Sequence, residues 1–163
     1  MKPTTVSFAL EPVAPLLADG LEDLLIFHWQ EVEQHQDVMP LTVDWPKYLM
    51  LERAGIYRAV VARQDGRLVG YAAYFVQPPL HHSHATWAVN DVLYLDPVFR
   101  RGRTGDKLIE AAEGFMRELG AKLITQEDRK VPNSTDAKPH ATLGDLLLRR
   151  GYTLAGRVFA KLL

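Results

Sequence analysis

The 163-residue sequence predicts one mixed α+β (or α/β) domain over residues 1–163, a mixed sheet flanked by about four helices. Three observations carry this reading. Two runs rich in β-branched and aromatic residues, 56–62 and 68–76, are joined by Gln64-Asp65-Gly66-Arg67, and Asp-Gly between such runs marks a tight hairpin. A third such run, 87–95, precedes a helical pattern starting at Thr104 and a short apolar run at 122–125, which together read as a βαβ unit. An antiparallel meander therefore passes into a parallel pair, and a sheet that changes character in this way splays between its halves, an opening suited to a ligand.

The remaining elements follow in order. Residues 4–10 alternate weakly, as a first edge strand does. Leu17, Leu21, Leu24, Leu25, His28 and Val32 recur at helical spacing and predict a first helix of about four turns. Pro46 suits the first turn of a second, short helix ending near Arg53. Pro78-Pro79 and Pro97 stop the strands before them. Leu108, Ile109, Ala112, Phe115, Met116 and Leu119 form one apolar face of a helix that Gly120 ends. The run at 122–125 reads as a short buried strand, and Thr142-Leu143-Gly144-Asp145 as a capping box opening a helix that Gly151 closes. Residues 152–163 read as the last strand or strands, which gives the order β-α-α-β-β-β-α-β-α-β.

Composition narrows the function. With 47% hydrophobic and 24% charged residues the chain is an ordinary globular one. The absence of cysteine excludes disulfides, thiolate zinc sites and a thiol nucleophile. Its longest apolar runs fall far short of the roughly 18 residues that span a bilayer, and residues 1–10 lack the apolar stretch of a secretory signal. A cytoplasmic protein without membrane partners is expected. A net charge of −1 argues against a dedicated nucleic-acid binder, and three arginines with little aromatic interleaving are all that a nucleic-acid reading has behind it. Charge is segregated along the chain: residues 1–50 hold eight acids and two bases, residues 51–163 twelve acids and seventeen bases.

The chemistry concentrates at Asp91-Val-Leu-Tyr-Leu-Asp-Pro-Val-Phe-Arg100-Arg101-Gly102-Arg103-Thr104-Gly105-Asp106. A strand ends, an Arg- and Gly-rich turn follows, and a helix begins. Free N–H groups and the helix dipole favour an anion there. Gly102 and Gly105 are suited to positive φ and close backbone approach, and Arg100, Arg101 and Arg103 supply donors that fit a pyrophosphate.

This segment resembles the GNAT superfamily of N-acetyltransferases, whose pattern is an apolar-x-apolar strand end, then x-Pro-x-aromatic-Arg, then Arg/Gln-x-x-Gly-x-Gly/Ala. Leu93-Tyr94-Leu95 matches the strand end and Pro97-Val98-Phe99-Arg100 the approach; Arg100 and Gly105 take the first and last motif positions. Arg103 stands where the middle glycine belongs, with Gly102 one residue early, and Gly151-Tyr152 resembles the family's late Gly-aromatic pair. The resemblance implies acetyl-coenzyme A as acyl donor and no metal. It implies that the backbone at Leu93, Tyr94 and Leu95 lies along the pantetheine arm and that Arg100, Arg101, Gly102, Arg103, Thr104, Gly105 and Asp106 hold the pyrophosphate. Leu147 occupies the position of the Tyr that protonates the thiolate in many relatives, and His140 aligns roughly with a family Asn that touches the cofactor.

Two groups are candidates for the base that deprotonates an attacking amine. Asp91 resembles the acid many relatives carry at this strand, and strand alternation puts it on one face with Leu93 and Leu95; a strand-end Asp that only meets solvent is the simpler alternative. His81, His82 and His84 precede the same strand, His84 being nearest, and a histidine there suits a base or proton relay. With no carboxylate or cysteine in that stretch, they make a poor metal site. Trp29, Trp45, Tyr48 and Trp87 are candidates for an acceptor pocket or for plain core. Glu31, Glu33, Asp37 and Asp44 give the link between the first two helices a negative field suited to a cationic amine. The expected activity is acetyl transfer to a primary amine, on a small molecule or a protein, by direct attack in a ternary complex; the alternative is a coenzyme A-binding module with little or no turnover.

Overall fold

Residues 5–129 and 142–163 are described in a computed structural model of the chain. Strands β1 (Val6–Glu11), β2 (Tyr57–Gln64), β3 (Arg67–Gln77), β4 (Trp87–Leu95) and β5 (Leu123–Thr125) lie side by side in chain order. Pairing is antiparallel through β4 and parallel between β4 and β5. The Asp-Gly hairpin forms as expected: Asp65 and Gly66 have φ of 50° and 85° and join Gln64 directly to Arg67. Both central residues at positive φ match the right-handed twist of the strands.

Helices cover both faces. On one lie α1 (Val13–Leu17), α2 (Leu21–Val32) and α3 (Trp45–Arg53), which bury Val13, Leu16, Leu21 and Leu24 against Tyr57, Ala59, Val61, Tyr71 and Ala73. On the other lies α4 (Thr104–Glu118), whose Leu108, Ala112 and Met116 pack on Val60, Ala62, Val69 and Ala72. Because each face is covered, β2 and β3 read as continuous apolar runs rather than alternating ones. The buried residues of α4 are at most 1% exposed, and Leu108, Ile109 and Met116 each contribute about 2 kcal/mol of apolar burial as an upper figure. Helix α5 (Leu143–Arg149) begins with the expected capping box, Thr142 and Asp145 bonding each other's backbone. Arg150 then ties it to α4, donating to both oxygens of Glu113 (3.0 and 2.7 Å) and to Asp106 (2.6 Å).

Four expectations need correction. The first helix is not continuous, since Gly20 at φ 93° breaks it into α1 and α2, so the described residues hold five α-helices, with a 3-10 turn at Pro97–Phe99. β5 is not buried: Leu123 is 43% exposed, because the strand lies at the sheet's edge and pairs only with the first residues of β4. Residues 152–163 form no strand, and from Thr153 onward every residue is exposed. Gly105 does not need positive φ, because it lies inside the first turn of α4; Gly102, at φ 84°, does. His140 lies outside the described residues.

Gly70 on β3 faces the C-terminal end of β4. A Cβ there would meet the Tyr94 carbonyl oxygen at 2.8 Å and Leu95 Cδ1 at 2.7 Å. Backbone cannot give way as a side-chain tip does, so Gly70→Ala is expected to cost about 1–3 kcal/mol, or about 2–12 °C in Tm. A thermal melt of the variant within 1 °C of the parent would show that β4 yields at this point.

Candidate active site

Strand β4 carries one residue more than β3 opposite it. Ala73 faces Val92 and Tyr74 faces Asn90, so Asp91 is the extra residue of a β-bulge. Asn90 braces this bulge, its Nδ2 donating to the carbonyls of Val92 (2.9 Å) and Ala73 (3.3 Å). The same residue ties β4 to the end of β5, donating its N–H to Thr125 Oγ1 (3.3 Å) and accepting from the Glu127 N–H (3.4 Å). Two adjacent polar residues inside an apolar strand were the sequence signal for this bulge. It breaks the period of two, so Asp91 does not share a face with Leu93 and Leu95. Those leucines face α4, whereas Asp91 accepts a hydrogen bond from the Tyr57 hydroxyl (3.0 Å) on the α1–α3 side.

Parallel pairing with β5 runs only from Trp87 to Val89, so the sheet splays beyond that point. In an antiparallel ladder, alternate residues aim their N–H and C=O away from the partner. The Asp96 N–H donates to the Val69 carbonyl (2.9 Å) and Leu95 faces Gly70, so Leu93 and Leu95 present theirs to the open side. Tyr94 aims its own at Tyr71 on β3. The open side leads to the start of α4, which has no side-chain cap. Among the described residues the backbone N–H groups of residues 101–106 have no hydrogen-bond acceptor. They are ready donors for an anion.

The arginines divide. Arg100 turns inward: it forms a two-pronged ion pair with Glu31 of α2, donates from Nε to the Leu95 carbonyl (2.7 Å) and lies 5.3 Å over the Tyr94 ring. Arg101 is exposed, and Arg103 reaches the Asp106 carboxylate at 3.2 Å. Arg103 and Arg150 together hold that carboxyl below the usual range.

On the other side of the sheet, Asp91 opens into a cleft of about 520 Å³ between α2, α3 and β4. Burial pushes its carboxyl up; the Tyr57 hydrogen bond and the charge of Arg129 pull the other way without prevailing. His28 also faces the cleft, with Nδ1 3.0 Å from the Tyr71 hydroxyl and its ring stacked on Tyr94 at 5.1 Å. Burial first, then the charge of Arg129, lowers it to about 4, which leaves it neutral and a poor proton acceptor. His28, one of the residues at helical spacing in α2, is thus both hydrogen-bonded and part of the cleft wall.

His84 lies in an exposed turn before β4, with His81 and His82 also exposed, and none of the three lines the cleft. His82 stacks on Trp87 at 5.6 Å. Among the described residues no group of histidines and carboxylates is arranged to hold a metal. Trp29 and Tyr48 line the cleft, while Trp45 borders an apolar cavity beside it. The acidic link is less free than its sequence implies: Glu31 is held by Arg100, Glu33 by Arg129 (2.8 Å), and Asp44 caps α3 through the Lys47 N–H (3.0 Å). Phe75, Asn90 and Arg129 belong to the site without having been singled out. Only Asn90 had a local signal.

The Acetyltransferase (GNAT) family model matches residues 19–145. Comparison with curated proteins gives no match. Among solved structures, the fold is similar to ribosomal-protein-alanine N-acetyltransferase from Brucella melitensis biovar Abortus 2308, at 19% identity over 98% of each chain and a TM-score of 0.63. An aminoglycoside acetyltransferase from an uncultured soil metagenomic sample is similar at 14% identity, covering 98% of this chain and 97% of that one, with a TM-score of 0.67. Glucosamine-6-phosphate N-acetyltransferase from Arabidopsis thaliana is similar at 11% identity, covering 97% and 98%, with a TM-score of 0.65. At these identities the likeness concerns the fold, and among the described residues no helix is long and apolar enough to cross a membrane. With its splayed mixed sheet, its uncapped glycine- and arginine-rich turn and a family match over most of its length, this chain belongs to the GNAT acetyltransferase family.

Proposed function

We propose that the protein transfers an acetyl group from acetyl-coenzyme A to a primary amine by direct attack, with Asp91 as the general base. The observation that carries this reading is the arrangement of β4. One side of the strand offers the backbone groups of Leu93 and the N–H of Leu95, whose carbonyl Arg100 already occupies, continuous with the donors of residues 101–106, while the bulge turns Asp91 to the other side, into the cleft. The N–H groups of residues 101–106, with Arg101 and Arg103, suit the pyrophosphate, and the open edge of Leu93 suits the amide-bearing arm. Bound there, acetyl-coenzyme A supplies the reactive thioester.

Asp91 takes a proton from the acceptor's ammonium group, which frees the nitrogen lone pair. Its burial raises its basicity above that of an exposed carboxylate, which suits this task. Tyr57 holds its other requirement, orientation, through the 3.0 Å hydrogen bond. Leu147 is buried and has no ionisable proton, so a water or another residue must serve as the acid. That missing acid is also what favours the second reading, a module that holds the cofactor without turnover.

Asp91→Asn decides between them. As a base, Asp91 is expected to contribute about 100-fold or more to kcat, with coenzyme A affinity unchanged. The same variant has a stability signature. A carboxyl raised by burial contributes stability that is complete below its unfolded value near 3.9 and is lost as pH rises through the folded value. Asp91→Asn should therefore melt above the parent at pH 7 and match it near pH 3.5. A parent with no turnover on any amine, or a variant with full turnover, rejects Asp91 as base.

For the anion end, Gly105→Glu puts a carboxylate at the uncapped start of α4. A Cβ at Gly105 meets only Leu95 Cδ2 at 3.9 Å, so the chain should fold. Loss of the coenzyme A-induced rise in Tm is expected. An undiminished rise in this folded variant would move the pyrophosphate elsewhere.

A further inference from the structure

The walls of the Asp91 cleft carry information about the amine that enters it, taking the transferase reading as the basis. Tyr48, Tyr57 and Phe75 stand in an edge-to-face row, with ring centroids 4.9 and 5.4 Å apart, and the middle ring donates its hydroxyl to Asp91. Tyr48 and Phe75 both line the cleft, so the carboxylate is flanked by aromatic rings rather than by further acids. An ammonium group placed on Asp91 gains both its charge and the negative faces of these rings.

The other charges of the cleft are spent or opposed. Glu33 is paired with Arg129, and Asp44 caps α3. Among the described residues Asp91 alone of the three lining carboxylates has neither an ion-pair partner nor a capping role. Lys47 lines the same cleft with no ion-pair partner among the described residues, whereas Arg129 is paired with both Glu33 and Glu127, so a second ammonium group would meet the positive charge of Lys47. Met39, Leu41, Leu51 and Trp29 give the cleft apolar area, interrupted by the polar but uncharged His28, Gln34 and Thr42. Past Leu25, Tyr48 and Val92, which border both, lies an apolar cavity of about 30 Å³. A cleft of about 520 Å³ with one free carboxylate and an aromatic and aliphatic part to its wall fits one charge on an apolar body.

We propose that the acceptor is a monoamine with an apolar, ring-sized body, of the arylalkylamine class, and not a polyamine, an aminoglycoside or an amino sugar. The ammonium sits on Asp91 between Tyr48 and Phe75, and the ring lies against Leu51 and Trp29. Lys47 supplies the rejection of polycations.

Calorimetry on the full chain with coenzyme A present tests this, using 2-phenylethylamine, ethylamine, spermidine and kanamycin. Burying the ring should make 2-phenylethylamine bind about 10- to 100-fold tighter than ethylamine. Spermidine and kanamycin should bind more weakly than 2-phenylethylamine, and exposed Lys47, changed by Lys47→Glu, should narrow the spermidine gap several-fold at low salt only. Ethylamine binding as tightly as 2-phenylethylamine, or spermidine or kanamycin binding tighter, overturns the inference. Acetyl transfer, followed by release of free thiol, separates this from the transferase reading. Preferential binding of 2-phenylethylamine without any acetylation rejects the transferase and keeps the acceptor class; acetylation with spermidine or kanamycin preferred keeps the transferase and rejects the class.

Discussion

Strand β4 must satisfy β3 along one edge while leaving β5 on the other, and the bulge at Asp91 is where both demands are met. An extra residue in a ladder leaves backbone groups without their ladder partners, each a loss of about 1 kcal/mol or more if buried. The Asn90 amide takes up the Val92 and Ala73 carbonyls, and Thr125 accepts the Asn90 N–H. The brace therefore does two things at once. It stabilises the bulge, and it fixes the last point at which β4 and β5 touch.

From that point the two sides of the strand take up different chemistry. Beyond the bulge Leu93 and Leu95 keep their side chains in the α4 core, so their backbone groups alone face the opening. Asp91 and Val92 look the other way, toward the helices that wall the cleft. A residue shift along one strand thus separates the side proposed to hold the anion from the side proposed to take the amine, across the thickness of a single sheet.

Side chains from distant parts of the sequence keep the two sides in register. Arg100, at the end of the turn, is drawn to Glu31 of α2, which ties the anion side to the wall of the cleft. With side-chain exposures of 40% and 23%, this pair is worth on the order of 1 kcal/mol or less in stability. Its consequence is positional: the Arg100 guanidinium is taken out of the turn, and the turn's donors are mainly backbone. Arg150 plays the matching part for α5, with Asp106 and Glu113 holding it against α4 and its side chain only 16% exposed.

Much of the fold was legible along the chain because its signals are local. The Asp65-Gly66 turn, the apolar face of α4, the Thr142–Asp145 capping box and the glycine- and arginine-rich turn each depend on residues within a few positions of one another. Elements that depend on partners were less legible. Residues 152–163 have the composition of a strand but pair with none, and Gly20 divides a helix whose apolar spacing continues across it. The site was legible in its residue types and not in its geometry. Sequence alone determined that Asp91 stands on the strand leading to the glycine- and arginine-rich turn. Only the tertiary structure decided which face it takes, since one bulged residue reverses the alternation. Tertiary packing also decided that Arg100 belongs to Glu31, 69 residues away, that Arg129 belongs to Glu33, 96 residues away, and that Tyr57 orients Asp91. Those pairings are set by the stacking of helices on a sheet, which brings together side chains whose separation in sequence carries no local signal.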